Sequence, residues 1–126
     1  MDNESNNTNK GLTLIPKSRA YIEYMILIIM KLPRTERFNI GNEYKLSMYQ
    51  MLENIMMINK IHDNDEKLNL INRVDAELDT QRIFVRIMYK EKWIDKKKFD
   101  YIMNMAYEMG KIIGGLSSYY VKNNKK

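Results

Sequence analysis

The chain has no cysteine, one histidine, one tryptophan, two prolines and five glycines in 126 residues. Without cysteine there are no disulfides, thiolate nucleophiles or Cys-based metal sites. That absence fits a reducing compartment, and a cytoplasmic location is expected. The scarcity of proline and glycine leaves long windows without punctuation, which points to helices rather than short strands and turns. No membrane-length apolar run occurs either. The longest, Tyr24 to Met30, is bracketed by Glu23 and Lys31, far short of the roughly 20 residues a spanning helix needs. No catalytic motif is recognisable. Asp75 and Asp79 form the one i, i+4 carboxylate pair that stands out, and two Asp without a suitable His do not make a metal or acid–base site. Neither enzymatic activity nor a cofactor or metal is expected. The first residues are acidic where a secretory leader would be basic.

What remains is an ordinary globular composition, with 44% hydrophobic and 29% charged residues, of a size for one domain. The 11 methionines and the abundant Lys, Asn, Ile and Tyr look like AT-rich coding, which dilutes the meaning of any one of those counts. Net charge is +5 and unevenly placed. Residues 1–80 carry ten basic and twelve acidic side chains, net −2. Residues 81–126 carry eleven basic and four acidic, net +7. Such asymmetry favours a polyanionic partner such as nucleic acid, while a solvated face with a basic tail is the plainer alternative.

The chain divides into an unstructured arm at 1–15, a helical bundle at 16–120 and a basic tail at 121–126. The first helix is expected to start near Pro16–Ser18 and to run to Leu32, with an apolar surface wide enough for burial inside the subunit and at a subunit contact. Pro33 breaks it. A second helix runs from Ile40 or Gly41 to His62, with Tyr44, Met48, Met51, Leu52, Ile55, Ile58 and His62 on one face. His62 reads as a packed or capping residue rather than a catalytic one. Asn64 or Asp65 caps the third helix, whose central stretch, Leu68 to Trp93, contains neither Gly nor Pro. Leu68, Ile71, Val74, Leu78, Val85 and Tyr89 form its stripe, with Arg82 inside it, Asp79 one turn before, and Asp75 and Arg86 along the edge. Charge inside an apolar seam needs a partner surface. Lys92 to Lys96 closes this helix and Asp95 caps the fourth, whose face is Ile102, Met105, Ala106, Met109, Ile112, Ile113 and Leu116. Gly114-Gly115 should weaken the fourth helix near its end. Four helices on short turns pack as an all-α, antiparallel up-down bundle.

Four ordered pieces resemble a known family. They are Leu32-Pro33-Arg34-Thr35-Glu36-Arg37-Phe38 with Gly41 following, Glu77-Leu78 with Arg82 and Arg86, Tyr101, and Met109-Gly110-Lys111-Ile112-Ile113-Gly114-Gly115. Together they are similar to the accessory variability determinant of diversity-generating retroelements, part of a wider group that includes proteins encoded in intervening sequences of ribosomal RNA genes. Lys111 and Leu116 stand where that family usually has Arg and Trp. The resemblance implies a homopentameric barrel that binds a reverse transcriptase and RNA (or DNA, or an RNA/DNA hybrid) and supports mutagenic reverse transcription without catalysing it. The alternative is an intervening-sequence-type oligomeric scaffold with no reverse transcriptase partner.

Arg86, Lys90, Lys92, Lys96, Lys97, Lys98 and Lys111 are the candidate nucleic-acid contacts, with Lys90 to Lys98 around the turn beside Trp93 and Arg86 one helical turn before Lys90. Trp93 either joins that edge or caps the core. Arg82, at a family Arg position, reads either as a phosphate contact or as a structural ion pair with Asp79 or Glu108, and its place within the stripe favours the ion pair. Arg34 and Arg37 fix the first turn or the assembly.

Overall fold

The computed structural model describes residues 2–124. It contains α1 (Asp2–Met30), the single turn α2 (Arg34–Arg37), α3 (Ile40–Ile58), α4 (Asn64–Lys90) and α5 (Lys96–Asn124), with no strand among the described residues. The four long helices form a ring of neighbours, in the order α1, α3, α4, α5 and back to α1. Directions alternate around the ring. Lys67 near the start of α4 donates to the Ile58 carbonyl at the end of α3 and lies over the Tyr120 ring near the end of α5. At the other end, Tyr89 of α4 stacks on Phe99 of α5. The result is an antiparallel four-helix bundle.

Each helix contributes a buried row that alternates steps of three and four. The rows are Leu14, Ser18, Tyr21, Met25, Ile28 and Leu32 from α1 and its exit turn; Tyr44, Met48, Met51, Ile55 and Ile58; Ile71, Val74, Leu78, Gln81, Val85 and Met88; and Ile102, Ala106, Met109, Ile113 and Leu116. A seven-residue repeat keeps every row facing the bundle axis. This register corrects the stripe expected for α4. The seam passes through Gln81 and Met88, both 0% exposed, and not through Arg82 and Tyr89, which lie one residue further on at its edge.

The buried glutamine is satisfied by a chain of hydrogen bonds. Tyr21 Oη donates to Gln81 Oε1 at 2.9 Å, so its other contact, with Tyr44 Oη, must take the proton from Tyr44. Gln81 Nε2 donates to Ser47 Oγ at 3.0 Å, and Ser47 Oγ reaches the Glu77 carbonyl at 3.5 Å. Burial pushes both phenols well above their ordinary range, which keeps them protonated as the chain requires. The polar chain links α1, α3 and α4 at one level. It favours this arrangement over a slipped one, in which its members would be buried without partners.

Several boundaries differ from the sequence reading. The first helix does not wait for Pro16. The backbone is helical from Asp2 where an unstructured arm is expected, with an exposed Pro16 inside the helix and a buried Leu14 before it. Leu14 anchors that turn in the core, and its carbonyl accepts from Ser18 Oγ at 2.7 Å. The helix ends at Met30, and Leu32 is buried from the turn. The second long helix ends at Ile58, so His62 is exposed in the connection and does not pack at a helix end. Asp63, rather than Asn64 or Asp65, caps α4, its Oδ2 accepting from Glu66 N at 2.9 Å. The fourth helix passes straight through Gly114-Gly115 and includes Lys122. The packing of Ile113 and Leu116 on either side of the pair holds it helical. Lys125 and Lys126 of the expected tail lie outside the described residues.

Two glycines have a steric reason. A Cβ on Gly41 would lie 2.9 Å from Ile29 Cγ2 and 3.2 Å from the Glu36 carbonyl, so this glycine lets α3 start tight against the turn after α1. A Cβ on Gly110 would lie 2.6 Å from Arg82 Nη2.

Candidate nucleic-acid interface

The junction of α4 and α5 is built by three local devices. Lys92 N donates to the Tyr89 carbonyl at 3.0 Å and Trp93 N to the Met88 carbonyl at 2.9 Å, the paired bonds of a Schellman helix end. Lys92 occupies its left-handed position, φ 66°, where glycine is usual. Ile94 is then buried and Trp93 half-buried against the core. Asp95 opens α5 as its N-cap, Oδ1 accepting from Lys98 N at 2.8 Å and the carbonyl from Phe99 N at 2.9 Å. The Lys98 backbone N–H, and after it the Lys98 ammonium, hold the Asp95 carboxyl below its usual range. Tyr89 and Phe99 stack across the turn, centroids 4.5 Å apart and planes 21° apart, which locks the two helix ends together.

The lysines expected as one cluster fall into two kinds. Lys96 is bound to Asp100 at 2.7 Å and Lys98 to Asp95 at 3.4 Å; the hydrogen bond to Asp100 also holds the Lys96 ammonium above its usual range. Among the described residues, Arg86, Lys90, Lys92 and Lys97 carry no ion pair and are exposed. Of the candidate contacts around this turn, these four cations are free to meet an anion. Lys90, Lys92 and Lys98 line an open groove with Tyr89, Trp93, Ile94 and Asp95. Lys97 and Lys98 line the adjoining one with Tyr24 and Tyr101.

Arg86 belongs to a third groove on the α4–α5 face, with Asp79, Arg82, Ile83, Met103 and Tyr107. Here Arg82 is fixed from two sides, Nη1 to Asp79 Oδ1 at 2.8 Å and Nη2 to the Ala106 carbonyl at 3.0 Å. Glu108, the other partner expected for Arg82, faces Lys111 on its own helix at 3.7 Å. Lys111 also lies over the Tyr107 ring, 5.3 Å from its centroid. It is some 13 positions beyond Lys98, about 20 Å along the helix, so it lies away from the turn, its one link to the Arg82–Arg86 groove being the Tyr107 ring. Arg37 donates to the Leu32 carbonyl at 3.0 Å and closes the first turn, whereas Arg34 is exposed and has no ion pair among the described residues. Among the described residues no group of three His, Cys, Asp or Glu converges as a metal ligand set, and no helix is long and apolar enough to cross a membrane.

Sequence reasoning missed the aromatic residues that alternate with these cations. Tyr24, Tyr89, Phe99 and Tyr107 drew no attention at the interface, and Tyr101 entered only through the family resemblance. The signal was the lysine-rich turn itself, with an aromatic residue three to four positions from nearly every cation on both flanking helices.

In the fold, the chain is similar to a protein of unknown function from the S23 ribosomal protein family of Bacteroides thetaiotaomicron. The TM-score is 0.79 at 14% identity, covering 88% of this chain and 96% of that one. No curated protein matches the sequence. The bAvd-like family matches it over residues 12–120, a span that takes in the first helix from residue 12 onward as well as the four motif pieces. This chain therefore belongs to the bAvd-like family.

Proposed function

We propose that the chain is a non-catalytic accessory subunit of a diversity-generating retroelement, a homopentamer that binds the reverse transcriptase and the template RNA and supports mutagenic reverse transcription. The observation that carries the RNA part is the set of unpaired cations, Arg86, Lys90, Lys92 and Lys97, on one edge of a bundle of this family. Free cations can neutralise phosphates and release counterions, whereas a lysine already held by a carboxylate contributes less. One subunit offers few charges, and a ring would repeat the edge and raise avidity without new contacts.

Assembly is supported by apolar side chains left outside the subunit's own core. Leu27 and Met30 of α1 and Leu46, Tyr49 and Met56 of α3 are all exposed, on two neighbouring helices. Light scattering after size exclusion is expected to give about five times the subunit mass for a closed ring; a clean monomer at micromolar concentration would remove the ring from the reading. For the partner, the test is co-expression with a reverse transcriptase encoded beside the gene, followed by affinity capture. Co-elution with bound RNA is expected, and a reverse transcriptase that elutes alone contradicts the assignment. The alternative is an oligomeric scaffold of the same fold without a reverse transcriptase partner. A genome with no reverse transcriptase and no template and variable repeats near the gene would select it.

A further inference from the structure

The groove at the α4–α5 turn and the groove between α1 and α5 share Lys98, so they adjoin along a track from Lys92 and Trp93 to Lys97 and Tyr101. Tyr101 is 52% exposed. Its only ring neighbour among the described residues is Tyr24, edge-on at 4.8 Å and 66°. Beside that contact about half of Tyr101 stays exposed, in a groove it shares with Lys97 and Lys98. Tyr24 holds the ring in place beforehand, so a planar ligand stacked on it would not have to order the side chain.

We propose that this track is a site for single-stranded RNA, with an unpaired base stacked on Tyr101 and phosphates over the unpaired Lys92 and Lys97. It rests on the nucleic-acid reading above and narrows it. A rigid duplex presents phosphates and hides the faces of its bases, so it would use the lysines and leave the aromatic platform idle. An unpaired strand uses both, because every base has a face to stack and a phosphate within reach of the next cation. Lys92 lines the groove at the α4–α5 turn, and among the described residues its side chain carries no ion pair.

The test uses the full chain and fluorescence anisotropy with two labelled probes, a uridine oligonucleotide of about 15 nucleotides and an RNA duplex of the same length. Wild type is expected to bind the single strand about tenfold more tightly than the duplex at equal salt. Tyr101→Leu is expected to weaken single-strand binding about fivefold or more, the size of one lost stacking contact, with the duplex unchanged. Tyr101→Phe should keep wild-type affinity, since stacking needs the ring and not the hydroxyl. Suppose both probes bind equally, binding is lost on Lys90, Lys92 and Lys97→Gln, and Tyr101→Leu has no effect. The nucleic-acid reading then stands and the single-strand site falls. If neither probe binds at low salt, both fall. Circular dichroism and a thermal melt of each variant separate lost binding from lost folding.

Discussion

Arg82 Nη2 occupies the space that Gly110 leaves open: a Cβ at position 110 would meet it at 2.6 Å. From there it donates to the Ala106 carbonyl at 3.0 Å, one turn back on α5. Two pieces of the family pattern that lie far apart in sequence are therefore one contact. Gly114, one turn further on, has nothing within 4 Å of where its Cβ would be.

The two glycines should respond oppositely to alanine. Gly114→Ala is expected to raise stability by about 1 kcal/mol, the helix-propensity difference with no clash to offset it. Gly110→Ala gains the same propensity and displaces the Arg82 guanidinium, forfeiting a charge-assisted bond of about 1.5–3 kcal/mol. The net loss should be about 1 kcal/mol. In an Arg82→Ala background Gly110→Ala should become stabilising. Urea titrations of the four members of that cycle check it, and a coupling near zero would contradict the contact.

Gln81 is the residue that sets the core's polar layer. Gln81→Ala removes volume and leaves Ser47 and the Tyr21–Tyr44 pair short of a partner, for an expected loss of about 3 kcal/mol. Tyr44→Phe removes only the outermost donor and should cost about 1 kcal/mol. Thermal or urea unfolding distinguishes the two. Equal effects would mean that the hydrogen-bond chain has no order.

How much of this was legible beforehand follows from the same residue. Four helices, their order and most buried faces can be read from apolar spacing, because apolar residues at steps of three and four leave few alternatives. A search for apolar residues skips Gln81 because it is polar, and Arg82, four residues after Leu78 and three before Val85, falls into the stripe in its place. The register through Ile71, Val74, Leu78, Val85 and Met88 points to 81, but only the two phenols opposite show why a glutamine is tolerated there. At the interface, sequence gave the cations and not which of them are already paired. Asp95 and Asp100 sit within a turn of Lys96, Lys97 and Lys98, and spacing alone does not say which lysine each carboxylate takes.

Lys92 holds the left-handed position at the end of α4. Lys92→Gly should relieve about 1 kcal/mol of backbone strain while removing one unpaired cation. The variant should therefore melt higher and bind RNA more weakly. Melting and binding measured on the same preparation check the pair of outcomes, and a lower melting temperature would mean that the lysine side chain stabilises the turn.

The pairing of Lys96 and Lys98 also separates the lysines at the turn into those that should govern salt dependence and those that should not. The slope of log affinity against log salt counts phosphates neutralised, at about 0.7 per contact for a single strand. Lys90, Lys92 and Lys97→Gln together should flatten that slope by about 2 for each subunit engaged. Lys96 and Lys98→Gln should change it by less than 1, since those ammonium groups already face Asp100 and Asp95. Slopes unchanged in the triple variant, with helix content and oligomer mass intact, would contradict the placement of RNA on this edge.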